Sequence, residues 1–282
     1  MQKLILIIKG FIIGTANIVP GVSGGTLMVT LNVFEDIIHS VNHFFSDISK
    51  NFKFLLFLGI GVILSFLVMS YVITYSMENF KVQTIMLFIA IIIGGLPALY
   101  SNVKSEKLNY KYIIAFMIPF ALVVIMSLIN AGTPSVVFDN MNAFSYIKLF
   151  LVGMLASSAM VVPGLSGSFI LMLLGYYTSI LECIKGLLTL NNVSTNFTVL
   201  LIFGLGIILG LLGIIKLIEY LLDNHKNVTY FSILGFIFGS IIAILISNFS
   251  SGVDLSFLTV LQTIIIALIG FFITYKVGTK RG

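Results

Sequence analysis

The sequence predicts an all-α, polytopic membrane protein built from two inverted-topology repeats, each a broken-helix, re-entrant hairpin plus three transmembrane helices. Three observations lead to this class. Of 282 residues, 59% are hydrophobic and 9% charged, against about 25% charged in a soluble domain. Mean hydropathy is +1.16. A motif, Pro-Gly-x-Ser-Gly, occurs twice, at Pro20 and at Pro163. This composition excludes a soluble enzyme, a disordered chain and a nucleic-acid binder.

The elements follow in chain order. Residues 4–45 form an apolar region cut near its middle by Pro20-Gly21-Val22-Ser23-Gly24-Gly25. Proline cannot donate to the helix ladder and glycine permits a sharp turn, so the region reads as helix, break, helix. Lys9 interrupts the opening run and no small-x-small cleavage site follows, so these residues read as mature structure. Three spans follow, at 52–77, 84–103 and 112–130, each near the ~20 residues a membrane helix needs. With the hairpin they make a first repeat, 1–143. The second repeat, 144–282, has a hairpin at 144–190, broken by Pro163-Gly164-Leu165-Ser166-Gly167-Ser168. Its spans are 197–222, 230–249 and 257–276.

The motifs align at 163 − 20 = 143 residues, and Gly59 and Gly61 align with Gly204 and Gly206 at 204 − 59 = 145. One hairpin and three spans give an odd number of crossings, so the halves are inverted, as in many secondary transporters. With a cytoplasmic N-terminus, eleven Lys/Arg residues fall on the cytoplasmic side and Lys81, Lys148 and Lys185 outside, with Lys9 inside the first hairpin. That asymmetry places both termini in the cytoplasm. Gly59, Gly61, Gly204, Gly206, Gly210, Gly235 and Gly239 read as close helix contacts.

Broken helices in hydrocarbon leave amides without partners unless protein or a wet cavity receives them. Free donors around Ser23, Gly24, Gly25 and Thr26, and around Ser166, Gly167 and Ser168, suit an anion, above all phosphate. The candidate site therefore comprises Asn17, Pro20, Gly21, Ser23, Gly24, Gly25, Thr26, Pro163, Gly164, Ser166, Gly167 and Ser168, with Lys9 as counter-ion. Glu35, His39 and His43 recur every four residues along one helix face, and Glu182 aligns with His39. Glu35, His39 and Glu182 are the candidates for coupling to protons or a monovalent cation. No metal site and no cofactor is expected, and Cys183 has no disulfide partner. On residues alone, a carrier of a small soluble anion stands as an alternative. An intramembrane lipid phosphatase fits less well, since the membrane core has no arginine clamp.

Lys9-Gly10, then Gly14-Thr15-Ala16-Asn17-Ile18-Val19-Pro20-Gly21-Val22-Ser23-Gly24-Gly25-Thr26 and Glu35, resemble the signature of the bacterial PopT-type polyprenyl-phosphate transporters. Val162 to Ser168, with Gly175-Tyr176-Tyr177 beyond, resembles that family's second half-site. Leu31-Asn32-Val33-Phe34-Glu35 departs from a Gly-Ile-Tyr-Glu-like run. The resemblance covers the whole chain. It implies a non-enzymatic translocase in the bacterial cytoplasmic membrane, returning undecaprenyl phosphate from the outer to the cytoplasmic leaflet. Its partners would be that lipid and the surrounding bilayer.

Overall fold

The computed structural model describes residues 2–18, 22–101, 103, 109–129, 136–138, 141–249 and 256–279. These residues form helices and no strands. The first half runs α1 (Gln2–Ile18), α2 (Gly24–Thr30), α3 (Phe34–Asn42), α4 (Ile48–Asn79), α5 (Lys81–Tyr100) and α6 (Tyr110–Leu128). The second runs α7 (Ala143–Val161), α8 (Gly167–Leu173), α9 (Tyr177–Leu188), α10 (Val193–Asn224), α11 (Lys226–Phe249) and α12 (Phe257–Thr279). Among the described residues, seven helices are long and apolar enough to cross a membrane: α4 to α7 and α10 to α12. The protein is thus a multi-pass helical membrane protein. Outward-facing Leu, Ile and Phe side chains on α6 and α12 are the surface that lipid would cover.

Each apolar hairpin differs from the expected helix–break–helix. Its second arm is itself divided into a seven-residue helix and a longer one. The bend between α8 and α9 is 104°. Both short helices end in the same way. Asn32 and Gly175 adopt left-handed conformations, with φ of 56° and 78°. The amides that follow reach back in matching patterns: Asn32 to Val29 and Val33 to Met28, then Gly175 to Met172 and Tyr176 to Leu171. This is the Schellman stop, which satisfies carbonyls the helix end would leave bare. Asparagine is one of the few L-residues that enter this region cheaply.

Long helices pair through small residues. α1 lies on α4 and α7 lies on α10. A Cβ at Gly10 would strike the Leu58 carbonyl, and one at Gly153 would sit 2.5 Å from that of Phe203. Gly61 faces the Ile7 carbonyl as Gly206 faces that of Phe150. α5 packs on α12 and α6 on α11, with Gly94 against Phe271 and Gly235 against Phe116. The expectation for Gly59 and Gly204 does not hold: a Cβ at either would meet nothing within 4 Å. Each is two residues from the contact glycine, about 200° around the helix, and so faces away from the partner.

The core is uneven. Its larger cluster joins the first hairpin (Leu27, Leu31, Phe34, Ile38) to α5, α10 and α11. The second hairpin contributes Ile180 and Cys183 to a smaller, separate cluster with α7 and α10.

Candidate functional site

Both motif regions reach one cavity of about 470 Å³. Asn17 and Val22 line it from the first hairpin, and Gly164, Ser166 and Ser168 from the second. α6 and α11 supply further lining residues.

The start of α2, just after the first motif's proline, lies directly against the second break. Gly25 is buried against the second motif, where a Cβ would lie 3.0 Å from the Val161 carbonyl and 3.3 Å from Pro163 Cα. The Asn17 amide lies across Gly24, close enough that a Cβ there would overlap it. Glycine at 24 and 25 is therefore required by close approach of chain to chain. Ser23 is the N-cap residue of α2, with extended backbone and no side-chain cap bond. Its carbonyl accepts from the amides of Thr26 (3.1 Å) and Leu27 (3.4 Å). The Thr26 hydroxyl is fully buried and has no hydrogen-bond partner among the described residues. An unsatisfied buried hydroxyl costs about 1–3 kcal/mol. Pro20 and Gly21 lie outside the described residues.

The second break is more open. Pro163 is buried, and Gly164 turns with φ of 84° against the Phe236 carbonyl. The Ser166 hydroxyl caps α8 by accepting from the Phe169 amide at 3.4 Å, and it lies 2.9 Å from the Ser168 hydroxyl. Gly167 is buried beside the Ala156 carbonyl, whereas Ser168 is exposed to the cavity.

Other candidates lie elsewhere. Lys9 is half-buried on α1 and does not line the cavity. Glu35 accepts a hydrogen bond from the Tyr230 hydroxyl. His39 stacks on His43, with centroids 4.5 Å apart. Glu182 is exposed on α9. Among the described residues, no three His, Cys, Asp or Glu side chains gather as metal ligands.

Sequence reading missed Ser127, Ser247 and Asn248, which add polar groups from α6 and α11. Each is a polar residue near the end of an apolar span, and that was the available signal. Asn248 donates its amide back to the Ile244 carbonyl at 2.9 Å, and Ser127 its hydroxyl to Val124 at 2.7 Å. Among the described residues no charged side chain lines the cavity. Its polar wall is made of neutral hydroxyls and amides. The apolar remainder, including Val123, Met126, Phe169 and Met172, suits a hydrocarbon chain.

Short helices that begin at Pro-Gly motifs and stand beside a cavity inside a helical membrane protein are an arrangement also found in membrane transporters with discontinuous helices. The chain belongs to the undecaprenyl phosphate translocase-like family, whose model matches residues 13–253. It is 32% identical to the polyprenyl-phosphate transporter of Staphylococcus aureus over 280 residues, covering 98% of this chain and 96% of the relative. It is 26% identical to the polyprenyl-phosphate transporter of Vibrio cholerae, covering 86% and 77%. No solved structure matches the chain.

Proposed function

We propose that the protein translocates undecaprenyl phosphate, or a closely related polyprenyl phosphate, from the outer to the cytoplasmic leaflet of the bacterial cytoplasmic membrane. The observation that carries this reading is the cavity walled by both motif regions, where neutral hydroxyls and amides from the motifs, α6 and α11 stand among apolar side chains. Two relatives that align with most of the chain are named for polyprenyl phosphate.

The headgroup enters between the hairpins. Its oxygens accept from Ser166, Ser168 and the Asn17 amide, and from the opening amides of α8, at the positive end of that helix. Ser127 and Ser247 complete the ring. The prenyl tail stays in lipid, against Met126 and Phe169. Water would otherwise solvate the phosphate strongly, so neutral donors must replace much of its hydration. Proton or monovalent-cation coupling through Glu35, His39 or Glu182 would lower that cost further. The two halves act as inverted repeats, with both termini cytoplasmic, and the hairpins open the cavity alternately. No bond is made or broken in this account.

Reconstitution in liposomes tests it. Purified protein should move undecaprenyl phosphate between leaflets, and Ser168→Ala should slow that movement. Uptake of inorganic phosphate without lipid movement would favour the soluble-anion carrier. Release of inorganic phosphate from the lipid would favour the phosphatase.

A further inference from the structure

The two hairpins occupy different positions in the bundle. α2 packs against α5, where Gly95 meets Thr30. α3 packs against α10. The counterpart packings, α8 on α11 and α9 on α4, are not formed to a comparable degree. The empty space follows the same asymmetry. Met172 and Tyr177 line the cavity of about 470 Å³. Their counterparts at the repeat spacing of 143, Val29 and Phe34, line a void of only about 10 Å³. The second void reads as the collapsed twin of the first. The structure is therefore open beside the second arm of the second hairpin and shut beside the second arm of the first.

A polar contact holds the shut end. Asn42 donates its amide to Glu219 Oε2, and His43 Nδ1 lies 3.3 Å from Oε1. Glu219 stands on α10, 177 residues from Asn42. One carboxylate thus engages two side chains at the end of the first hairpin. Asn42 leaves its own carbonyl oxygen buried without a partner among the described residues, so the amide is held at a cost that release would refund. The residues at the matching positions of the other end differ in kind. At the two repeat spacings, Asn42 and His43 correspond to Lys185 and Gly186, and Glu219 to Thr74.

We propose that Glu219 is the latch of this transporter. It is a positioning residue that keeps the first hairpin docked while the cavity is open beside the second, and its bonds to Asn42 and His43 must break before the site opens at the first hairpin. This inference rests on the transport reading above.

Cysteine accessibility tests it, in a Cys183→Ala background with purified protein in nanodiscs and a small thiol reagent. With Glu219 intact, Met172→Cys should label fast and Val29→Cys slowly. Glu219→Ala should raise Val29→Cys labelling on the order of tenfold, as expected for losing a charge-assisted hydrogen bond, and lower that of Met172→Cys. Glu219→Gln, which keeps an acceptor for Asn42, should shift both less. Asn42→Leu removes the donor alone and is read in the same way if Glu219→Ala does not accumulate. Unchanged Val29→Cys labelling overturns the latch, and so does a parallel rise at both sites, which would report loosening. A reciprocal shift in a protein that moves no polyprenyl phosphate would keep the latch and remove the transport reading.

Discussion

Asn32 and Gly175 hold the same left-handed turn in the two hairpins, and each fixes where a short helix stops. Asn32→Gly should be neutral or slightly stabilising. Asn32→Val should lower stability by about 1–2 kcal/mol, the cost of forcing a branched residue into that region, read as a lower thermal midpoint in detergent. The cavity serines separate in a similar way. Ser166 caps α8, so Ser166→Ala should cost roughly 0.5–2 kcal/mol of stability as well as transport. Ser168 faces the cavity and caps nothing, so Ser168→Ala should slow transport with stability changed by less than about 0.5 kcal/mol. Residue types and motif spacing made Ser166 and Ser168 readable in advance. The turn at Asn32 was less so, because asparagine marks a left-handed stop less plainly than glycine does.

Helix contacts are set by which glycines face a partner. Gly61→Leu and Gly206→Leu should each destabilise by roughly 1–3 kcal/mol, since each new side chain meets backbone of the facing helix. Gly59→Ala and Gly204→Ala should be tolerated, with a gain of up to ~1 kcal/mol from helix propensity. Thermal midpoints of the four variants check both halves of this statement. Span positions were legible because apolar runs of membrane length have few other fates. Which glycine faced inward was not, because apolar residues surround all four and leave no polar face to mark orientation. The division of each second arm into two helices was also hidden, since its apolar pattern continues across the turn.

For the whole molecule, the doubled Pro-Gly-x-Ser-Gly motif predicted that the two motif regions lie together, and Gly25 at the start of α2 does lie against Pro163. The wall from α6 and α11 was only faintly marked by polar residues near span ends, because Ser127, Ser247 and Asn248 reach the cavity through tertiary packing. The Glu219 contact was equally silent, as its partners lie far away in the chain and the repeat does not reproduce it. The central claim is that a lipid phosphate occupies the cavity between the breaks. Its most direct test is ligand protection of a cysteine at the Ser168 position, in the Cys183→Ala background. Undecaprenyl phosphate should slow thiol labelling there severalfold, and undecaprenol, which has the same tail and no phosphate, should not. Equal labelling with and without the phosphorylated lipid, in protein that still translocates it, would contradict the account.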